Sequence, residues 1–92
     1  MIKSFKHKGL EKLFLNDDAS KVNQEHAKRL RLILAIIHKA KIVEDVNFPG
    51  ANLHELKGYR KGIWSITVRA NWRITFKFED NNAYILDYED YH

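Results

Sequence analysis

The chain has no cysteine, a single proline and only four glycines in 92 residues. Without cysteine there are no disulfides and no thiolate metal ligands, and nothing points to secretion. No apolar run approaches the roughly 18 residues that a membrane span needs. The opening MIKSFKHKGLEKLF is basic, yet it lacks the apolar segment and small-residue cleavage site of a secretory signal. A cytoplasmic location with no membrane contact is the expectation. Neither a low-complexity stretch nor an internal repeat interrupts the chain, so one domain over residues 1–92 is expected.

Hydrophobic residues make up 45% of the chain and aromatics 12%, enough for a single core. Sixteen Lys and Arg stand against 12 Asp and Glu, a formal charge of +4. On so small a body that balance favours a polyanion partner, nucleic acid first.

The first half reads as helical. Ile2 to Phe5 suits a short strand, after which Leu10, Leu13 and Phe14 recur at helical spacing in a helix that stops near residues 16–20. From Asn23 to about Lys39, the residues Ala27, Leu30, Ile33, Leu34 and Ile37 form one apolar stripe. Asn23 is the expected N-cap, and Glu25 in the first turn suits the helix dipole. His7, His26 and His38 lie among lysines or on helix faces and read as surface residues.

The second half changes period to two. Trp64, Ile66 and Val68 alternate with Ser65, Thr67 and Arg69; Trp72, Ile74, Phe76 and Phe78 alternate with Arg73, Thr75, Lys77 and Glu79; Tyr84, Leu86 and Tyr88 follow. Such alternation marks half-buried antiparallel strands. Matching the faces sets Arg69 opposite Arg73 across a three-residue turn, Val68 opposite Ile74 and Ile66 opposite Phe76, with Asn71 in the left-handed conformation. The same matching sets Phe78 opposite Tyr84 and Phe76 opposite Leu86 across Asp80–Asn82. A three-stranded meander results, extended by a fourth strand near Asn52–Leu56. The fold class expected is α+β, an antiparallel sheet with one or two flanking strands, covered on one face by the two N-terminal helices. The other face is left with Thr67, Arg69, Arg73, Thr75 and Lys77, either plain solvent surface or a bed for phosphate.

Reactive groups collect at the end of the sequence, DYEDYH over Asp87–His92. A metal site built from Asp87, Glu89, Asp90 and His92 is conceivable, but structural zinc favours cysteine and histidine at spacings this run lacks. Without metal, the set suits RNA cleavage. A ribose 2′-OH attacking its own 3′-phosphate needs a base, an acid for the leaving 5′-oxygen, and cations for the charge that develops. His54, Asp90, Tyr91 and His92 are acid and base candidates, while Lys57 and Arg73 are the cations. The nucleophile belongs to RNA, so DNA is not a substrate for this chemistry. The alternative is a non-catalytic module that grips RNA or an acidic protein through the basic sheet face.

The stretch LHELKGYRKGIWSITVRANWRITFKFEDNNAYILDYEDYH over residues 53–92 resembles the second half of HigB toxins, the plasmid-maintenance killer branch of the RelE superfamily. The compound motif LKGxRxGxWSIxV, then NWRIxFxF, then a closing DYH carries the resemblance, and the opening MIKSFKHKGLEKLF also suits the family. What the resemblance implies is a RelE-like fold and a metal-independent, cofactor-free ribonuclease that cuts messenger RNA in the ribosomal A site. It implies a helix-turn-helix antitoxin partner, HigA, whose complex with the toxin binds operator DNA. Family site residues carry over to His54, Asn71, Arg73, Asp90, Tyr91 and His92, with Lys57 a further match. Arg69 joins Lys57, Asn71 and Arg73 as an RNA-binding candidate from the sheet-face reading. One departure is the turn DNN, where glycine is expected; asparagine tolerates the same backbone region.

Overall fold

A computed structural model describes residues 1–91; His92, singled out above for acid–base work, lies outside the described residues. Helix α1 spans Lys8–Asn16, and a 3-10 turn over Gln24–His26 runs into α2, Ala27–Lys39. Strands β1 (His54–Glu55), β2 (Ile63–Arg69), β3 (Trp72–Glu79) and β4 (Asn82–Asp90) follow, with a 3-10 turn over Gly58–Arg60 between the first two. The strands form one antiparallel sheet in the order β1-β2-β3-β4. The α+β class and the β2–β3–β4 meander are as the periodicities require. Ile2 and Phe5 add two isolated parallel bridges to Ala83 and Leu86 along β4. Among the described residues no helix is long and apolar enough to cross a membrane.

A side-chain cap starts α1, and another starts the 3-10 turn that leads into α2. His7 accepts from the Leu10 N–H at the head of α1 (3.2 Å), and Asn23 accepts from the Glu25 N–H in the turn before α2 (2.9 Å). The stripe Ala27, Leu30, Ile33, Leu34 and Ile37 is buried along α2. Its four largest members share one core cluster with Leu10 and Leu13 of α1 and with Ile66, Val68, Ile74, Phe76, Leu86 and Tyr88 of the sheet.

Three of the expected surface histidines are structural instead. His7 is the cap just described, and His38 accepts from the Ile2 N–H at 3.1 Å, tying the N-terminal segment to α2. His26 is buried, its Nδ1 2.6 Å from the Tyr88 hydroxyl. Sequence context misleads here because each histidine has lysine or glutamate neighbours in the chain, whereas His26 and His38 bond to partners far away in sequence and the His7 ring meets Tyr88 edge-on (centroids 5.4 Å).

The hairpin register also departs from expectation. Arg69 pairs with Trp72, not Arg73; Thr67 pairs with Arg73, and Ile66 with Ile74 rather than Phe76. Face matching alone argues against a two-residue connection, Ala70–Asn71, but an irregularity between Thr67 and Arg69 absorbs the mismatch. An extra residue on one strand lets the short turn coexist with correctly facing side chains further along. Ala70 at φ 52, not Asn71, takes the left-handed backbone. In the second hairpin Phe78 pairs with Ala83, not Tyr84, because Asp80 and Asn81 (φ 51 and 65) make a tight two-residue turn. A second slip between Thr75 and Lys77 then restores the faces, with Ile85 in β4 at φ 50.

Candidate active site

Cross-strand partners share a face, so the register sorts the polar side chains. Thr67, Arg73 and Glu89 form one row of the sheet, and Ser65, Thr75 and Asp87 form the next. His54, opposite Ser65, extends the second row on β1. These rows lie on the face opposite Ile66, Ile74 and Tyr88, which belong to the core. Ser65 and Thr75 are buried rather than solvent-facing, so short side chains floor this face beneath longer ones.

Arg73 is held here on two sides and is only 11% exposed. Its Nε and Nη2 donate to Glu89 Oε2 at 3.1 and 2.8 Å, and its guanidinium lies 4.0 Å from the centre of the Tyr91 ring. Tyr91 is held over it by its own N–H, which donates to the Asn71 carbonyl at 2.8 Å. The hairpin turn therefore supplies Asn71 as the backbone anchor for the residue that stacks on Arg73. Arg60, from the turn between β1 and β2, donates to both oxygens of the same Glu89 carboxylate at 3.0 and 3.3 Å. Hydrogen bonding from Arg60, with that of Arg73 behind it, holds the Glu89 carboxyl below its ordinary range against the opposing effect of burial. Glu89 in turn raises the Arg60 guanidinium.

His54 is exposed, and its Nδ1 lies 2.9 Å from the Asn52 carbonyl oxygen. A carbonyl only accepts, so this contact places a proton on Nδ1 and leaves Nε2 for other partners. From strand spacing and rise, the His54 and Arg73 backbones are about 12 Å apart, two strands and one row away. Lys57 lines an open cleft of about 370 Å³ with Glu55, Leu56, Gly58 and Lys61, just after His54 in the chain.

The alternation that gathers Arg73, Tyr91 and His54 separates two other expected site residues. Arg69, Trp72 and Asp90 form a row of their own, and Trp72 packs against Tyr88 and His26 (centroids 4.6 and 5.5 Å) on the core side. The expected Arg69–Arg73 pair of like charges therefore does not exist. From sequence, Arg60 reads only as part of a basic loop with Lys57 and Lys61 and is missed as the second cation on Glu89; Tyr59, its neighbour in the chain and 99% exposed, is passed over too. Basic residues interleaved with an aromatic in KGYRKG were the signal available for both.

A small α+β chain with two helices and a four-stranded antiparallel sheet is consistent with the RelE-like toxins. Residues 3–92 match the family described as RelE-like toxin of type II toxin–antitoxin system HigB, and the chain belongs to that family. Endoribonuclease HigB of Proteus vulgaris is similar to it along its whole length, 53% identical over 92 residues with 100% of each chain covered.

Proposed function

We propose that this protein is a toxin acting as an endoribonuclease, cutting messenger RNA in the ribosomal A site and so halting translation in the cytoplasm. The helices cover one face of the sheet and leave the other to RNA. The observation that carries the reading is Tyr91 stacked on Arg73 on the face where His54 stands, in a chain 53% identical to an endoribonuclease. Stacking on tyrosine holds an unpaired base, and the guanidinium receives the phosphate beside it.

The ribose 2′-oxygen attacks the adjacent phosphorus as a base removes its proton. The bond to the 5′-oxygen breaks, and an acid protonates that leaving oxygen, giving a 2′,3′-cyclic phosphate and a free 5′-hydroxyl. His54 and His92 are the acid–base pair, since imidazole can serve as either acid or base. His54 with Nδ1–H tied to Asn52 presents Nε2 for proton transfer. Asp90 tunes the site electrostatically, Arg73 and Lys57 bind the reacting phosphate, and Asn71 and Arg69 contact RNA at the hairpin end. No step calls for a metal, because the nucleophile is internal and the charge is met by cationic side chains. The partner that neutralises the toxin is a HigA-like antitoxin with a helix-turn-helix domain, and operator DNA is bound through that complex.

A message with one 2′-deoxy nucleotide in the A-site codon, programmed into ribosomes, tests the chemistry. Cleavage is expected to vanish on the 3′ side of that nucleotide and nowhere else. Unchanged cleavage there would eliminate the 2′-OH as nucleophile. Binding without cleavage of the all-ribose message by folded protein would favour the non-catalytic module.

A further inference from the structure

We infer that Glu89 is a built-in stand-in for an RNA phosphate, and that Arg60, which it clasps beside Arg73, is a further phosphate-binding residue. The inference rests on reading this face of the sheet as the RNA-binding one. Arg60 leaves the turn between β1 and β2 and reaches β4 at the far side of the sheet, where Nη2 and Nη1 donate to Oε1 and Oε2 of Glu89. Arg73 completes the clasp from β3. A fork of oxygens gripped by two guanidinium groups is the arrangement by which arginines take a phosphate. Two cations share one carboxylate, so the cluster keeps an excess positive charge that favours a second anion. Asp87, in the next row, also acts on Arg60 through its charge but lies 3.9 Å from Lys6, so three cations stand against two carboxylates here.

Exposure makes the exchange accessible. The Arg60 and Glu89 side chains are 33% and 25% exposed, so an incoming phosphate reaches them without uncovering a deeply buried charge. Arg73, at 11%, is braced by Tyr91 and stays in place. Gly58 and Gly62 bracket Arg60 at φ 73 and 95, conformations that suit glycine, and a Cβ at either would meet nothing within 4 Å. That turn also carries Lys57, Lys61 and the wholly exposed Tyr59. Cations around an exposed aromatic make a surface on which a single strand stacks. RNA phosphate displaces the carboxylate from Arg60 and Arg73, and the turn engages the strand as it does so. Until then, the free protein carries its own competitor for RNA.

Anisotropy of a labelled 2′-O-methyl RNA oligonucleotide, which has no nucleophile and is not cut, tests this over a salt series with folded wild type, Glu89→Gln and Arg60→Gln. Glu89→Gln is expected to bind about tenfold more tightly at low salt, as removing one competing charge from a close cluster requires. Arg60→Gln is expected to bind more weakly, with its log K against log salt slope flatter by about 0.7, one phosphate contact on a single strand. Glu89→Gln binding no more tightly than wild type would overturn the stand-in, and an unchanged slope in Arg60→Gln would overturn Arg60 as a ligand. Should Glu89→Gln fail to fold, the Arg60→Gln slope decides alone. Wild type that cuts programmed ribosomes yet shows neither effect refutes only this inference; wild type that neither binds RNA nor cuts refutes the function beneath it as well.

Discussion

The Tyr88 hydroxyl lies 2.6 Å from Nδ1 of His26, joining the strand that bears Glu89 and Tyr91 to the turn that opens α2. Tyr88 also receives a backbone hydrogen bond from Asn23. His26 shares its hydrogen bond with Tyr88 in a closed site, flanked edge-on by Trp72 and Tyr88.

Burial, and then the positive charge of Arg69, lower the His26 pKa below its usual 6.5, while Glu25 opposes weakly. The unfolded chain thus binds a proton at a pH where the folded chain refuses it. His26 contributes full stability above about pH 6.5, and the contribution falls away as pH drops toward the depressed folded value. Urea midpoints measured from pH 8 to pH 5 should show this loss in the wild type and a flatter profile in His26→Gln. Tyr88→Phe, which leaves the buried Nδ1 without its hydrogen-bond partner, should cost about 1–3 kcal/mol at neutral pH.

Gly9 sits in α1, where alanine is normally the better helix former. Here a Cβ would stand 2.7 Å from the Lys21 carbonyl oxygen and 2.8 Å from Cε1 of His7. Neither a backbone oxygen nor a capping ring yields cheaply. Gly9→Ala is expected to destabilise by about 1–3 kcal/mol, as overpacking does. A raised thermal midpoint would show that α1 packs less closely on the Lys21 segment than described.

Ile85 holds a β-branched side chain at φ 50 and is 45% exposed. The strain comes from the register slip that refaces β4. Ile85→Asn suits the left-handed region better and should stabilise by about 1 kcal/mol, read as a rise in the thermal midpoint. A fall would mean that the packing of Ile85 outweighs its backbone strain.

Arg73→Lys keeps the charge but loses the planar group that lies on Tyr91 and forks onto Glu89. Cleavage of programmed ribosomes by Arg73→Lys should drop roughly a hundredfold, close to the loss for Arg73→Ala, because positioned electrostatic stabilisation depends on geometry. Near-normal cleavage by the lysine variant would reduce Arg73 to a simple counter-charge.

Alternation in IWSITVR and WRITFKFE revealed which residues face the core, since side-chain period is a local property of a strand. Parity survived both slips in the strand bodies: Ile66 still shares a face with Ile74, though not with the partner expected. Register was not legible, because an extra residue near Val68 and another near Ile85 are compensations that only the assembled sheet reveals. For the same reason Arg69 and Asp90 were grouped with Arg73, while the strand pairing puts them in the Trp72 row. The reactive residue types were readable from DYH, NWR and LHEL. A counter-charge for Arg73 from Glu89 was within reach of the sequence, but the clasp of Arg60 was not, for it joins side chains 29 residues apart.

The central claim is acid–base cleavage of messenger RNA in the A site, and mapping by primer extension on ribosomes programmed with a defined message tests it most directly. Wild type should cut within the A-site codon, and His54→Ala and His92→Ala should each cut at least about a hundredfold more slowly while remaining folded. Equal cleavage by all three proteins would contradict the assignment of the chemistry to the two histidines. No A-site cleavage by folded wild type would contradict the claim itself.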